Sequence, residues 1–385
     1  MTRFPLLILL FLVSLSSLAG CAATLQTTSL PEGVTVKTVA KVDAGAPVAV
    51  NGSGAMASVA KGSVRIFYAP TGPEPAPGTE IAKAAEATPV IALGFSPDGG
   101  RLAVVLANGG QSILRCYDLK GTLVAETSVP ARVTSLAWRS ERGLLTTALV
   151  LKKYSFGTEL ASFLYRWDLK GPPAATAIYS VTIRPQLAKL PEEALYRTSS
   201  MALSPYGDEI AYTVLKDPPL FSPYLRVTLR HLDSGAEKVL AEIAIGSGGP
   251  VYTPDGESVL VGNHGGLARR LSLPNGNETN AWPAQGDRIA SSPSGSYLLM
   301  DGRLFQDGRV VSSLPSDATA AFLPDGSGLA VASNGALFLV TGFKDGKAAT
   351  LPGNLERILE LRKLRMQGLI TDAEFKARRK KVSAP

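Results

Sequence analysis

The chain has 385 residues, of which 45% are hydrophobic and 18% are charged, with 38 glycines, 27 prolines and two cysteines. This composition excludes an intrinsically disordered chain, and two cysteines exclude a disulfide framework or a cysteine-rich zinc site. The formal net charge is +7, and a basic balance favours anionic partners. The position of that charge along the chain decides which partners it indicates.

The N-terminus has the pattern of an export signal. Arg3 precedes an apolar run over residues 4–18, which is shorter than the roughly 20 apolar residues of a membrane-spanning helix. The run leads into Leu-Ala-Gly-Cys at residues 18–21, which resembles the lipobox of bacterial lipoproteins. The resemblance implies that residues 1–20 are a lipoprotein signal peptide and that Cys21 is lipidated. The alternative is an ordinary signal peptide followed by an incidental cysteine.

The residue after Cys21 predicts where the anchored protein resides. It is Ala22 and not aspartate, which by analogy with Gram-negative lipoproteins implies the outer membrane, with the protein facing the periplasm. Residues 21–32 then form a lipidated tether, and two or more acyl chains hold a protein stably on a bilayer. The second cysteine, Cys116, lies in a predicted strand, where we expect a buried and unreactive thiol.

A turn motif recurs through the body of the chain: an apolar strand, a turn like Ser-Pro-Asp-Gly, and another apolar strand. Clear copies occupy residues 95–99, 252–256 and 322–326, and weaker copies lie elsewhere. Proline at the second turn position and glycine at the fourth favour a type I turn, and aspartate there serves the turn rather than catalysis. The predicted structural turn residues are Asp98, Gly99, Asp255, Gly256, Asp325 and Gly326.

Each repeat contains four strands. A second turn, acidic or polar and ending in glycine, follows each first one, and hairpin signals such as Asn-Gly lie between them. Successive turn glycines are 31 to 49 residues apart, except for one gap of 64 that holds an insertion at residues 184–197. Four strands at a period of about 40–45 residues are typical of a propeller blade. We predict an all-β propeller over residues 33–352, with seven four-stranded blades and with six or eight as alternatives.

Two further features of the propeller follow from this pattern. The insertion at residues 184–197 is predicted to project from one face. An open ring would expose the edges of its sheets, so we expect residues 34–42 to pair into the last blade beside residues 347–351.

The Ser-Pro-Asp-Gly motif followed by a Leu-Ala strand resembles the repeats of TolB-like periplasmic propellers and, more loosely, those of WD-repeat propellers. The resemblance covers about residues 44–352, with one literal Trp-Asp pair at residues 167–168. It implies a propeller of the cell envelope that works through other proteins. Propellers host many unrelated activities, so the fold alone does not define the function.

The C-terminal stretch, residues 353–385, has a helical pattern. Residues 355–367 are rich in helix formers, and Gly368 suits a left-handed helix cap. Thr371 and Glu374 then form a capping box that begins a second helix. The sequence therefore predicts a two-helix hairpin.

Residues 355–359 and 368–375 closely resemble the short C-terminal (SHOCT) domain found at the ends of many bacterial proteins. The resemblance implies a small oligomerisation or interaction module. So short a chain buries too little surface alone, and docking on its own propeller is the alternative to self-association. The apolar candidates for self-association are Leu355, Ile358, Leu359, Leu369, Ile370 and Phe375.

Residues that would carry catalysis are scarce. The two histidines, His231 and His264, are not at metal-binding spacing. The sequence lacks a nucleophile elbow, a phosphate loop and a dinucleotide fingerprint. We therefore expect no enzymatic activity, no metal and no cofactor.

The charge is concentrated in the tail. Residues 353–385 hold nine basic and four acidic side chains, so they carry +5, and the rest of the mature chain is nearly neutral. For an exported protein this charge favours anionic lipid headgroups, cell-wall carboxylates or an acidic protein as the counterpart, not nucleic acid.

The preferred hypothesis is a non-enzymatic lipoprotein that acts as a protein-interaction scaffold in the bacterial cell envelope. Its expected partners are the bilayer through Cys21, other envelope proteins, and a second copy through the tail. The alternatives are an outer-membrane assembly factor, and a glycan-binding or glycan-processing propeller with carboxylates and aromatic residues at its channel mouth.

Overall fold

A computed structural model shows a seven-bladed β-propeller followed by a pair of helices. It describes residues 30–69, 78–83, 88–155, 157–169, 174–183, 192–216, 222–246, 248–264, 266–284, 288–345 and 355–383, together with Leu25 and Pro218. The predicted signal peptide and Cys21 lie outside the described residues. The predicted fold class and the blade count of seven are confirmed.

The first strand, β1 (Thr35–Lys41), belongs to the last blade, and the next three blades follow in chain order. Blade 1 consists of β2 (Ala49–Val50), β3 (Met56–Ala60), β4 (Ser63–Phe67) and β5 (Thr79–Lys83). Blade 2 consists of β6 (Val90–Phe95), β7 (Arg101–Asn108), β8 (Gln111–Asp118) and β9 (Leu123–Val129). Blade 3 consists of β10 (Arg132–Trp138), β11 (Gly143–Tyr154), β12 (Gly157–Asp168) and β13 (Ala174–Ile183).

The remaining four blades continue around the ring. Blade 4 consists of β14 (Met201–Leu203), β15 (Glu209–Lys216), β16 (Tyr224–His231) and β17 (Glu237–Ala244). Blade 5 consists of β18 (Val251–Tyr252), β19 (Ser258–His264), β20 (Leu267–Ser272) and β21 (Glu278–Trp282). Blade 6 consists of β22 (Ile289–Ser291), β23 (Tyr297–Met300), β24 (Arg303–Gln306) and β25 (Arg309–Ser313). Blade 7 consists of β26 (Thr319–Phe322), β27 (Gly328–Ser333), β28 (Ala336–Thr341) and β1.

The N-terminal strand closes the ring. β1 pairs antiparallel with β28, with Thr35 opposite Thr341 and Lys41 opposite Ala336. The prediction that residues 34–42 join the last blade is confirmed, and their partner is β28; residues 347–351, beside which this strand was expected, lie outside the described residues. β28 is the third strand of blade 7, so β1 takes the fourth position directly beside it and covers the exposed edge.

The predicted tether approaches this closure. Leu25 and Leu30 are partly buried and pack against the hydrophobic core shared by blades 6 and 7. These two described residues of the predicted tether therefore contact the propeller.

The blades pack on one another through the small and branched residues of their second strands. All six residues of β27 are buried, as are six of the eight residues of β7. Contact between neighbouring blades is close: a Cβ on Gly94 would lie 2.5 Å from Leu136 Cδ1, and Trp138 Nε1 donates to the Gly94 carbonyl at 2.9 Å. Interiors packed this tightly tolerate few changes in side-chain volume.

The turn after the first strand is closed by the same backbone hydrogen bond in every blade. In each one, the glycine N–H donates to the carbonyl three residues earlier, at 2.8 to 3.3 Å. The pairs are Asn51 with Gly54, Ser96 with Gly99, Ser140 with Gly143, Ser204 with Gly207, Thr253 with Gly256, Ser292 with Gly295, and Leu323 with Gly326. The inner strands run parallel around the ring, so these seven turns form one face of the propeller, which we call the turn face.

The insertion after blade 3 contains a short helix, α1 (Glu192–Tyr196). Leu195 and Tyr196 are buried, so the prediction that the insertion projects from the propeller is wrong for this part; residues 184–191 lie outside the described residues. Much of the 64-residue interval between the turn glycines Gly143 and Gly207 lies within the sheet of blade 3, because β11 and β12 each have 12 residues.

The C-terminal pair of helices begins and ends as predicted. α2 (Leu355–Met366) ends at Gly368, which has a φ of 72° and whose N–H donates to the Arg365 carbonyl at 3.0 Å. α3 (Asp372–Ser383) begins with the predicted capping box: Glu374 Oε2 accepts from the Thr371 N–H at 2.8 Å, and the Thr371 hydroxyl accepts from the Glu374 N–H at 3.2 Å. We call α2 and α3 the helical pair.

Candidate functional site

The aspartates of the turn motif bond within their own turns. Asp98 Oδ1 accepts from the Ser96 hydroxyl at 2.5 Å and from the Gly100 N–H at 3.1 Å. Asp255 Oδ1 accepts from the Glu257 N–H at 3.0 Å, and Asp325 makes equivalent bonds to Ser327. These carboxylates shape the loops of the turn face, and Gly99, Gly256 and Gly326 supply the positive φ that each turn requires.

The helical pair docks on the turn face over blades 4 and 5. Arg362 of α2 has a side chain only 2% exposed, and its Nε donates to Asp208 Oδ2 at 2.8 Å. Its Nη1 donates to the carbonyl of Gly256 at 3.1 Å, and its guanidinium lies 4.6 Å from the ring centre of Tyr206. A single arginine therefore connects the tail to the turns of two adjacent blades.

A second carboxylate lies beneath this arginine. Glu209 Oε1 is 3.5 Å from Arg362 Nη2 and accepts from the Tyr252 hydroxyl at 2.8 Å. Burial raises the pKa of Glu209, and the charge of Arg362 opposes that rise. Burial also raises the pKa of Tyr252 well above its ordinary value, which keeps this hydroxyl a hydrogen-bond donor.

Two more arginines of the helical pair bind a third carboxylate. Arg379 Nη1 lies 2.6 Å from Glu257 Oε1, and Arg365 Nη1 lies 3.4 Å from Glu257 Oε2. The Arg365 guanidinium also stacks 4.1 Å from the ring centre of Phe375, which connects α2 to α3. Part of the positive charge of the tail is therefore neutralised by carboxylates of the chain's own propeller.

The apolar residues of the helical pair form a small core. Ile358 and Phe375 are fully buried and Ile370 is 8% exposed, whereas Leu369 is 67% exposed and Leu359 is partly buried. Leu355 begins α2, and its side chain is not described. Three of the six predicted self-association residues are thus buried within one chain, so in the docked arrangement they are not on its surface.

A cleft of about 880 Å³ lies beside the docked helix, between α2 and the turn face of blades 3 and 4. Its floor includes the buried Trp167 and His231. Burial lowers the pKa of His231, so this ring is neutral at pH 7. Side chains of both signs line the cleft; they are Arg139, Arg142, Arg166, Lys363, Asp168, Asp208, Asp233 and Glu360.

The charges that line the cleft are partly fixed in position. Arg139 donates from Nη2 to Asp233 Oδ1 at 2.9 Å and from Nε to the Gly207 carbonyl at 3.0 Å. The hydrogen bond from Arg139 lowers the pKa of Asp233, so both charges persist at neutral pH. Arg142 and Lys363 are exposed and can reach a ligand in the cleft.

Other predicted features are located as follows. Cys116 is buried, as predicted, and burial raises its pKa to about 11. In the part of the chain that the structure describes, His, Cys, Asp and Glu form no group of three that could hold a metal ion. Over the same residues, no helix has the length and apolarity required to cross a bilayer.

The ion pairs that dock the helical pair, formed by Arg362 with Asp208 and Glu209, were not predicted from the sequence, although two signals were available. The blade 4 turn has Tyr206 where blades 2, 5 and 7 have aspartate, and two adjacent acidic residues follow the turn.

Comparison with known proteins supports the fold. No protein-family model and no curated protein matches the chain. Among solved structures, it is similar to the β-propeller domain of Cps50 (Swd1) from Myceliophteria thermophila, with 15% identity, a TM-score of 0.50, and coverage of 80% of this chain and 100% of that domain. At this identity the similarity shows the propeller fold alone.

Proposed function

We propose that this chain is a non-enzymatic, membrane-anchored scaffold of the bacterial cell envelope, and that the cleft on the turn face binds its protein partner. One observation carries the proposal: the propeller and the docked helical pair jointly build a cleft with side chains of both signs. Protein surfaces use such alternating charge to select partners and fix their orientation.

The cleft is tested by site-specific photo-crosslinking in native envelopes. A photoreactive residue in place of Lys363, which lines the cleft, should form a defined adduct, whereas the same residue in place of the exposed Lys376 of α3 should not. Adding Arg142→Glu should abolish the Lys363 adduct, while Arg309→Glu on blade 6 should leave it intact. Identical adducts with and without Arg142→Glu would contradict the assignment of the cleft.

The anchor is a separate part of the proposal, and it rests on the lipobox resemblance. The chain has two cysteines, and each serves as a control for the other. Cys21→Ser should move the protein from the membrane fraction to the soluble fraction, because acylation requires the thiol. Cys116→Ser changes a buried residue and should leave the protein with the membranes. Retention of the Cys21→Ser protein would disprove lipid anchoring.

We also propose that the chain self-associates by exchanging its helical pair between copies. Since Ile358 and Phe375 are buried within one chain, an interface built on them requires the helical pair to undock and to bind a second propeller, as in domain swapping. Deleting residues 353–385 should then lower the solution mass by whole protomers. An unchanged oligomeric state would assign the helical pair to its own propeller alone.

The glycan alternative gains no support at the channel mouth. It requires clustered carboxylates and aromatic residues there, whereas the described residues that line the opening opposite the turn face include no aspartate or glutamate.

A further inference from the structure

A second cavity opens on the face opposite the turn face. It has a volume of about 310 Å³, and its walls come from the starts of the innermost strands of five blades. These strands converge on the propeller axis, so the cavity is the mouth of the central channel. We call it the axial pocket, and its lining includes Ile91, Thr134, Ser200, Gly249 and Arg288, one from each of blades 2 to 6.

The charge of the axial pocket has one sign. Arg132, Arg197 and Arg288 line it, and none of its described lining residues is acidic. The propeller as a whole is nearly neutral, so three arginines at one opening are a local concentration of positive charge. A concave site focuses the field of such charges on a ligand inside it.

Two of the arginines are held in place by neighbouring groups. The guanidinium of Arg132 lies 4.4 Å from the ring centre of Tyr196, the last residue of α1. Arg288 Nη1 donates to the carbonyl of Ala318 at 2.7 Å, which uses one of the five N–H groups of the guanidinium. Donors that are held in this way lose little conformational entropy when a ligand binds.

Two described carboxylates that interact with these arginines are engaged by other donors. Glu192 accepts from Lys153 Nζ at 2.6 Å, and this bond is the main reason its pKa is lowered, with the charge of Arg132 a smaller cause. Asp317 accepts from the N–H of Asn334 at 2.9 Å, and that bond is the main cause of its lowered pKa. These carboxylates lie outside the pocket lining.

The remaining lining is small and polar. Thr134, Ser199, Ser200 and three glycines line the opening. A Cβ on Gly249 would lie 2.7 Å from the hydroxyl oxygen of Ser200, and Gly246 has a φ of 91° that favours glycine. Glycine at position 249 therefore avoids a clash with Ser200 in the pocket wall.

We propose that the axial pocket binds a phosphate group, either as free phosphate or as the monoester of a small molecule. The planar fork of arginine matches two phosphate oxygens, and phosphate commonly recruits several arginines. The pocket volume suits a small ester. This site lies on the face opposite the proposed partner cleft and does not depend on it.

Isothermal titration of the full chain in detergent, at low ionic strength, tests the proposal with two probes: inorganic phosphate and glycerol 3-phosphate. Saturable binding of both assigns recognition to the phosphate group itself, whereas binding of glycerol 3-phosphate alone assigns it to the ester. Failure of both probes to bind overturns the proposal. Binding of hexaglutamate without either phosphate probe would likewise overturn it and indicate an acidic peptide.

Matched variants locate the site. Arg197→Gln and Arg288→Gln should each weaken phosphate binding about tenfold or more, because each removes a charge-assisted hydrogen bond. Arg269→Gln makes the same chemical change on blade 5, where Arg269 pairs with Glu278 outside the pocket, and should leave affinity unchanged. Arg197 is exposed, so its variant should keep the thermal unfolding midpoint. Equal losses in all three variants would refute the axial pocket as the site.

Discussion

Blades 2 and 4 have the same backbone turn but use it differently. In blade 2 the third turn residue is Asp98, an exposed carboxylate that bonds the Ser96 hydroxyl within the turn. In blade 4 the third residue is Tyr206, and the carboxylate that bonds the turn serine, Ser204, comes from Asp208, one position after the turn. The same glycine hydrogen bond closes both turns, so the difference lies in the side chains alone.

This displacement creates the docking site of the helical pair. The Ser204 hydroxyl bonds Oδ1 of Asp208 at 2.6 Å, and Oδ2 receives Arg362. The ring of Tyr206 covers the guanidinium of Arg362, and its hydroxyl donates to the Asp255 carbonyl at 3.0 Å. In blade 4, the departure from the Pro-Asp-Gly turn therefore coincides with the binding of another part of the chain.

Buried ion pairs of this kind gain less stability than their geometry suggests. Removing Arg362 and its carboxylates from water costs free energy that their attraction must offset. Loss of one partner is nevertheless severe, about 3–5 kcal/mol, because the other charge stays buried and unpaired. If loss of Arg362 undocks the helical pair and returns Asp208 and Glu209 to water, the loss is limited to the free energy of docking.

The largest expected effect follows from reversing that arginine. Arg362→Glu places a third carboxylate beside Asp208 and Glu209, so the helical pair should dissociate from the turn face. Hydrogen exchange of α2 and α3 should rise to the rate of free helices, while strands of blades 2 and 7 stay protected. Arg357→Glu, the same change at an exposed position of α2, is the control and should leave exchange unchanged. Full protection of α2 in Arg362→Glu would show that the apolar contacts dock the pair by themselves.

A smaller change tests the tyrosine that distinguishes blade 4. Tyr206→Phe keeps the ring over Arg362 and removes the hydroxyl that donates to Asp255 and accepts from Arg379 Nη2 at 3.3 Å. Docking should weaken by about 1 kcal/mol, the usual net value of such a bond, which is roughly a fivefold loss of protection in α2. Tyr165→Phe on blade 3 provides the control. If α2 were equally protected from hydrogen exchange in Tyr206→Phe and Tyr165→Phe, Tyr206 would contribute to docking through its ring alone.

The fold could be predicted because each blade repeats the same local rules. Even the turns at residues 51–54 and 140–143, which lack the Pro-Asp-Gly pattern, form the same closing hydrogen bond as the clear copies, and the cap at Gly368 and the capping box at Thr371 follow from local sequence. Local pattern did not identify β28 as the partner of β1. The strand edge available to β1 depends on how many strands the last blade already contains, and local sequence does not show that number.

The docking site could not be predicted in the same way. Arg362 contacts Asp208, which is 154 positions away in the chain, and no local pattern encodes so distant a pair. The short length of the helical pair indicated a need for a neighbour, but it did not specify which neighbour. The clue that was available, Tyr206 in place of aspartate, becomes informative only when blades are compared with one another.

The smallest expected effect concerns the ordinary turn of blade 2. Asp98→Ala removes bonds that serve only that turn, and because the carboxylate is exposed the loss of unfolding free energy at pH 7 should stay below about 1 kcal/mol. The bond from Ser96 lowers the pKa of Asp98 below its ordinary value of 3.8. The ionised Asp98 carboxylate therefore contributes fully to the free energy of unfolding above pH 3.8, and this contribution declines as the pH falls through the lowered pKa of the folded state. Denaturant titrations of the wild-type protein and Asp98→Ala should differ at pH 7 and converge in stronger acid.

Hydrogen exchange of α2 should be identical in the wild-type protein and in Asp98→Ala. Faster exchange in Asp98→Ala would mean that turns of different blades are coupled around the ring, and that blade 4 does not act alone.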